Sequence, residues 1–582
     1  MPGLIVFLIC IWGITQLKAI LFWLYLWQLK EYHIGRFKAH FETYKGKRIF
    51  LNPLFIFKVL ILLYAFFLIV YPTKEPLPWY FYGVWVLVLI LLYLLEDLKI
   101  FLSFIKRRLK VPVFTSKIIL LFWLNLIFWG VLVLLVFLRF SHHLFWFVFC
   151  LLLFDIFSPL LVSGIVLGCQ PFVVWWRRSV IEKAKKKREK FKNLIVVGIT
   201  GSYGKSSTKE ILATILAKKF KVLKTEKNQN SEIGISRCIL NNLNEDHEVF
   251  VVEMGAYNKG GIKLLCDITK PQIGILTGIC PQHLSTFGSL ENIINTKYEL
   301  IESLPPMGFS VFNGDDKYCS QLYQKTEGIS KRICYSKFLA EAEKVVKGDY
   351  WVREIKSERS SLTFEVFSRR WGEIVQFKVN LPGSYWAQNI LMAAIVAKEI
   401  LGMSLEEIAK ACQELKAEQL GVRLLRGVNN TFLICSTYSA NPQGVMAHLD
   451  YLDTLPHKKI IVMPCLIELG SASRVIHYEI GKRIGEVCDL CIVTTLDRFE
   501  EIGRGAKEVG LPPENILFSE NPKEIFEKIK YFAEEGDTIL LEGRVPKGLV
   551  QILTKKEAPK DASLRKPNSL DNAKNVQQDS NG

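Results

Sequence analysis

Five apolar stretches, at about residues 4–28, 53–71, 79–95, 118–138 and 144–168, constrain this chain more than any other feature. Each is near the ~20 residues that a helix needs to cross a bilayer. The polar loops between them alternate in charge. Lys30, Arg36, Lys38, Lys45, Lys47 and Arg48 lie in the first loop, and only Lys74 in the next. Lys99, Lys106, Arg107, Arg108, Lys110 and Lys117 precede the fourth stretch, Arg139 alone follows it, and Arg177, Arg178 and the run Lys183 to Lys192 follow the fifth. The positive-inside rule gives one orientation, with the N-terminus outside and everything from residue 177 onward in the cytoplasm. The expectation is a multi-pass protein of the plasma (inner) membrane, in contact with membrane lipids. The first stretch lacks a short apolar core ending at small residues, so it reads as a retained helix. Asp155 and Lys18 fall inside apolar stretches, which is costly unless they face a polar interior or snorkel.

Charge separates this region from the rest. Of 74 Lys and Arg and 56 Asp and Glu in the 582 residues, 25 and 8 lie in residues 1–192, so almost all of the net +18 sits there. The remainder is balanced, which argues against a nucleic-acid partner and for a membrane as the reason for the basic excess. Thirteen cysteines in no repeating frame point to a reducing compartment, and Cys488 and Cys491 read as small apolar residues in or near a strand. Residues 181–192 read as a basic helical connector, either against anionic headgroups or as a solvated charged face.

From residue 194 the pattern changes to short β-rich runs alternating with helical periodicity, the mark of an α/β fold with a parallel sheet. Leu194–Thr200 reads as a buried strand, 201–205 as a turn, and Ser206–Lys219 as a helix. Gly201 and Gly204 let backbone N–H groups wrap a phosphate at a helix N-terminus, Lys205 reaches the β- and γ-phosphates, and the Ser206 hydroxyl is a ligand for Mg²⁺. Ser202 and Ser207 complete the phosphate-binding set. The spacing departs from GxxxxGK[ST], because Gly198 comes one residue early. Glu253 and His283 follow two further apolar strands and are candidates for the metal site.

The run Gly198-Ile-Thr-Gly-Ser-Tyr-Gly-Lys-Ser-Ser-Thr-Lys-Glu210 resembles the ATP loop of the Mur ligases, ATP-dependent amide-forming enzymes of peptidoglycan synthesis. Successive blocks agree in order: Asn228–Gly234, Glu253–Ala256, Lys270-Pro271, His283–Ser289, Lys297, Asn313–Asp316, Leu381–Asn389, Gly421–Arg423, Tyr438–Pro442, Glu468–Gly470 and Gly536-Asp537. The Asn-rich block most resembles that of the member that adds D-alanyl-D-alanine. The resemblance implies a P-loop central domain over 194–420 and a Rossmann-like α/β C-terminal domain over 421–555. They would follow an α-helical membrane domain of about five spans (1–176) and a basic linker (177–193), with a disordered tail over 556–582.

It also implies roles. Lys205 and Ser206 would hold ATP phosphates and Mg²⁺, Asn230 and Asn389 would serve the nucleotide, and Asn389 would lie near the adenine. Glu253 and His283 would serve the metal sites, and Arg423 would reach the γ-phosphate. Lys297 would be the lysine carbamylated in several relatives to support a second Mg²⁺. ATP would convert a carboxylate on a muramoyl-peptide-like or lipid-linked acid into an acyl phosphate, which an amino acid or dipeptide amine then attacks.

Three departures qualify the resemblance. Only about 25 residues separate the last apolar stretch from the first strand, so the family's N-terminal uridine-nucleotide domain is absent or replaced. The family's Asp-Asp is Cys435-Ser436 here, with Ser439 after Tyr438, and its Lys-Gly-Ser-Arg reads Glu542-Gly-Arg-Val545, which puts a negative residue near the expected amine site. The leading expectation is a membrane-anchored ligase of cell-envelope synthesis. The alternatives are a poly-γ-glutamate or capsule-type amide ligase, and a non-catalytic nucleotide-binding regulator.

Overall fold

The computed structural model describes residues 2–70, 79–106, 109–226, 229–326, 331–336, 349–369, 372–437 and 440–554. The loop 72–78 with Lys74, Arg107 and Arg108, Asn228, Tyr438 and Ser439, and the tail 556–582 lie outside the described residues.

The N-terminal region is helical: α1 (Pro2–Leu29), α2 (Ile34–His40), α3 (Tyr44–Phe50), α4 (Pro53–Val70), α5 (Trp79–Ile105), α6 (Ser116–Phe140), α7 (Leu144–Gly168) and α8 (Gln170–Glu189). α1 packs against α5, α6 and α7, and α4 packs against α7. Among the described residues, three helices are long and apolar enough to cross a membrane, Gly3–Leu29, Ser116–Phe140 and Leu144–Glu189, and Pro53–Phe67 is a shorter apolar helix. Large apolar side chains such as Leu63, Leu91, Leu138 and Leu160 point outward from the bundle, a surface that suits lipid and not water. Lys18 is exposed on α1. Asp155 is buried, and its partner was not legible in the sequence: Lys58 Nζ lies 2.5 Å from both Asp155 Oδ2 and Glu96 Oε2, and Gln16 Nε2 donates to Asp155 Oδ1 at 3.3 Å. Pairing is what makes such charges tolerable inside an apolar bundle.

One face of the connector packs on protein. Ile181, Ala184 and Arg188 form one face of α8 at helical spacing and are buried against the first α/β unit. Arg188 donates to the carbonyls of Thr269 at 2.9 Å, Phe191 at 2.8 Å and Leu194 at 3.2 Å. A guanidinium with five N–H donors can satisfy several carbonyls where a chain enters a sheet.

The first sheet has nine strands: β1 (Ile195–Thr200), β2 (Val222–Lys224), β3 (Val249–Glu253), β4 (Ile273–Leu276), β5 (Phe309–Asn313), β6 (Lys331–Ser336), β7 (Tyr350–Ser357), β8 (Leu362–Ser368) and β9 (Glu373–Val379), in the order β2-β3-β1-β4-β5-β6-β7-β8-β9. It is parallel through β7, and β8 and β9 add an antiparallel edge. The unbroken apolar runs of β1 and β3 suit strands covered on both faces. β1 lies between β3 and β4, so the chain leaving β1 enters the crevice at the strands' carboxyl ends where the connections diverge. α9 (Lys205–Leu216) starts there, with the helix Trp386–Glu399 packed along it.

The second sheet contains β10 (Arg423–Arg426), β11 (Phe432–Ser436), β12 (Lys459–Met463), β13 (Leu490–Val493), β14 (Ile516–Phe518) and β15 (Thr538–Glu542), in the order β10-β11-β15-β12-β13-β14. Only β10 runs antiparallel to its neighbour. Cys488 and Cys491 are buried and unbridged.

Candidate active site

The loop after β1 is shaped by two glycines that nothing larger can replace. Gly201 has φ 151°, and a Cβ there would come within 2.1 Å of Thr277 Oγ1; Gly204 has φ 77°, and its Cβ would meet Asn389 Oδ1 at 2.9 Å. Thr277 Oγ1 donates to the Tyr203 carbonyl at 2.5 Å. Ser202 N donates to the Gly278 carbonyl at 2.7 Å, and Ser202 Oγ to that of Cys280 at 3.2 Å. The loop is thus pinned to the segment that follows β4. The first-turn amides of α9 face the crevice, the arrangement that binds phosphate.

Lys205 Nζ donates to the carbonyls of Gly201 at 2.7 Å and Ser202 at 3.3 Å, so the side chain is curled back over its own loop. Ser206 Oγ donates to Glu253 Oε2 at 2.8 Å, bringing the end of the loop to the end of β3. Asn230 Nδ2 donates to Glu253 Oε1 at 3.1 Å, and Lys209 Nζ lies 3.4 Å from Oε2. Burial opposes ionisation of Glu253. The charges of Lys205 and Lys209 and the hydrogen bonds from Ser206 and Asn230 outweigh it and hold the carboxyl below the usual range. Lys209, fully buried, had no assigned role in the sequence. Its position four residues after Lys205, on the same face of α9, was the available signal.

Lys297, buried in the helix Leu290–Glu302, is held down to about 7, first by burial and then by the charge of Lys205. His283 adopts φ 60°, and Nδ1 is engaged by the Glu468 carboxylate. Burial is the largest influence on His283 and lowers its pKa. Glu468 falls to about 2, because His283 and Arg36 outweigh burial. His283 therefore joins the C-terminal unit, and the hydroxyl–carboxylate pair is formed by Ser206 and Glu253. Sequence reasoning did not anticipate Glu468 as the partner of His283, because no pattern links positions 185 residues apart.

Asn389 Oδ1 accepts from Thr208 Oγ1 at 3.2 Å, against the phosphate loop. Ser207 follows Ser206 on α9. Arg423 is exposed at the start of β10, opposite Cys435 and with no ion pair to another described residue. Cys435 points into the apolar cluster with Leu433, Val462 and Leu541, and Ser436 follows at the strand end. Glu542 does not line an open amine site as a free charge: it is fully buried, and its Oε2 is 2.6 Å from His448 Nδ1.

Ser206 and Glu253 are hard oxygen donors placed side by side at the mouth of a phosphate loop, a set that fits Mg²⁺ shared with phosphate oxygens.

Two family descriptions match the chain, the Mur ligase middle domain over residues 199–397 and the Mur ligase glutamate ligase domain over 422–545. The UDP-N-acetylmuramoyl-tripeptide–D-alanyl-D-alanine ligase of Bacillus subtilis is 27% identical over 353 residues, covering 59% of this chain and 72% of that protein. Its Haemophilus influenzae counterpart is 31% identical over 319 residues, covering 53% of this chain and 65% of that protein. The solved structure of MurF ligase from Thermotoga maritima in complex with ADP superposes with a TM-score of 0.55 at 26% identity, over 65% of this chain and 83% of that one. With the glycine loop, the carboxylate at the end of β3 and two matching domains that together span most of the α/β region, the chain belongs to the Mur ligase family of ATP-dependent amide-forming enzymes.

Proposed function

We propose that this chain is a membrane-anchored ligase that joins D-alanyl-D-alanine, or a similar dipeptide or amino acid, to the terminal carboxylate of a muramoyl peptide at the expense of ATP. The observation that carries this reading is the constellation of Ser206, Asn230 and Lys209 around Glu253 beneath the Gly201–Gly204 loop. A carboxylate is a poor acyl donor. Transfer of the γ-phosphoryl group to the acid's carboxylate, with ADP leaving, gives an acyl phosphate; the amine then attacks the acyl carbon, and collapse of the tetrahedral adduct expels inorganic phosphate.

Each residue has a physical part in this sequence. The loop amides and the N-terminus of α9 bind the phosphates. Lys205 exchanges the carbonyls of Gly201 and Ser202 for the β- and γ-phosphates, a trade of neutral acceptors for anionic ones. Ser206 and Glu253 would hold Mg²⁺, which when bound neutralises charge on the transferring group. Lys297, with its pKa near 7, presents a neutral amine to which CO₂ would add with loss of a proton to solvent, and the carbamate oxygens would serve a second ion. Asn389 steadies the loop from the far side, and Arg423 reaches the γ-phosphate once the two α/β units close.

The remaining parts of the proposal concern the membrane. Five spans, an outside N-terminus, cytoplasmic α/β domains and a plasma-membrane location follow from the alternating loop charges and are supported by the outward-facing apolar side chains. Because α1–α8 stand where a uridine-nucleotide domain would be, the acid is held at the membrane, as a lipid-linked or nucleotide-linked muropeptide.

The test is phosphate release from ATP by the detergent-purified protein across UDP-linked and lipid-linked muropeptides, with and without D-alanyl-D-alanine. Release that needs both acid and amine and vanishes in Lys205→Ala is expected; ATP binding with no release for any pair would sink the reading. A reporter fused after residue 192 is expected in the cytoplasm, and an external signal would reverse the topology.

A further inference from the structure

The pair formed by His283 and Glu468 has a third member from outside both α/β units. Arg36, on α2, donates from Nε to Glu468 Oε1 at 3.2 Å, while the other carboxylate oxygen of Glu468 engages His283 Nδ1. The guanidinium lies 4.9 Å above the ring centroid of Tyr257, whose ring meets His283 edge-on at 5.0 Å. Arg36 Nη1 is also 3.0 Å from Glu31 Oε2. One nearly buried carboxylate is thus divided between an imidazole of the crevice and a guanidinium of the membrane region.

The surroundings hold this arrangement firmly. His283 and Glu468 both sit at positive φ, 60° and 65°, a conformation that non-glycine residues keep only when their contacts enforce it. Phe37, next to Arg36, stacks on Trp27 of α1 with centroids 4.0 Å apart and planes within 8°, tying α2 to the first span. The same segment touches both α/β units elsewhere: His33 Nε2 is 3.4 Å from Asn258 Oδ1, and Tyr44 N donates to Asp497 Oδ1 at 2.6 Å. A docking surface needs only rim contacts of this second kind. Arg36 instead reaches a carboxylate whose other oxygen is committed to a residue of the crevice.

We propose that α2 completes the active site and that Arg36 is a positioning residue acting through Glu468 on His283. By fixing the Glu468 carboxylate, Arg36 makes it accept from Nδ1–H, which sets the tautomer and leaves Nε2 with the lone pair for a ligand. The membrane region then contributes to catalysis as well as to location. This inference rests on the ligase reading, and its experiment separates the two.

Arg36→Ala, Arg36→Lys, Glu468→Gln and the double variant are compared in full-length protein in detergent, by acid- and amine-dependent phosphate release and by ¹⁵N-histidine NMR with His283 assigned through His283→Gln. Arg36→Ala is expected to lower kcat at least ten-fold with the KM for ATP changed less than two-fold, Arg36→Lys to recover part of the rate, and the double variant to match Glu468→Gln alone. The His283 signal is expected to shift from a single Nδ1–H tautomer to a mixture in Arg36→Ala. An unchanged kcat, multiplicative losses in the double variant, or an unchanged tautomer overturns the proposal. Absence of release in the unmodified protein refutes the ligase reading, and the NMR comparison still decides whether Arg36 orients His283.

Discussion

His448 Nδ1 and Glu542 Oε2 lie 2.6 Å apart at the carboxyl end of β15, with the Glu542 side chain closed off from solvent. Glu542 Oε1 has no hydrogen-bond partner among the described residues, so the imidazole is what makes this carboxylate tolerable there. Removing one member of a buried pair strands the other, at a cost of about 3–5 kcal/mol, whereas replacing both with apolar residues of similar volume is close to neutral. His448→Leu is therefore expected to destabilise the C-terminal unit by about that amount in urea unfolding, and His448→Leu with Glu542→Leu to recover most of it. Equal loss in both variants would show that the pair does not act as a unit.

Gly204→Ala is expected to weaken ATP binding at least ten-fold while leaving the melting temperature within a few degrees. The new methyl would press on Asn389 Oδ1 and would need φ 77°, so the loop must shift where its amides meet phosphate. Isothermal titration with ATP and Mg²⁺ reads this directly, and unchanged affinity would remove the loop from the nucleotide site.

Lys297 gives the reaction a pH dependence with a definite sign. Burial, and after it the Lys205 charge, bring its pKa to about 7, so below that pH the side chain is an ammonium and above it an amine. CO₂ adds only to the amine. Activity is expected to rise as pH increases through 7, and added bicarbonate to raise it most on the acid side of that midpoint. A rate indifferent to bicarbonate after degassing would argue that the amine stays unmodified.

His40, at the end of α2, supplies a second pH dependence, this one in structure. Burial first, then the charges of Lys30 and Lys110, lower its pKa from 6.5 to about 4, with Asp497 opposing. The folded value is below the unfolded one, so the contribution to stability is complete above pH 6.5 and is lost as pH falls toward 4. Hydrogen exchange over residues 30–52 is expected to quicken across that window, and His40→Gln to flatten the response. Constant protection from pH 7 to 4 would contradict it.

The parts of this structure legible in the sequence are those with a local period. Apolar runs near bilayer length marked the N-terminal helices, and the run Leu194–Lys205 announced strand, glycine turn and helix before any comparison. Glu253 was legible only in company, as a carboxylate closing an apolar strand beside a phosphate loop. What was not legible depends on contacts between remote positions. Lys58 and Asp155 are 97 residues apart, and Arg36 and Glu468 are 432 apart, and neither pair carries a spacing signal. The inward turn of Arg188 was hidden for a related reason. A basic run shows its charge in the sequence, but not which of its members turns inward to cap carbonyls.

The turned-in Arg188 has a consequence for how the molecule moves. α7 and α8 follow one another with only Cys169 between them, apolar and then basic, and the far end of α8 is fastened to the first α/β unit through the carbonyls of Thr269, Phe191 and Leu194. A lobe mounted in this way does not tumble independently of the helical region: its phosphate loop keeps one bearing relative to α8. Orientation that a flexible tether would leave free is here fixed when the chain folds. The lobe bearing the second sheet is held to the same helical region, through Arg36 on Glu468 and Tyr44 on Asp497, so both lobes take their bearing from α1–α8 and not from a loose tether.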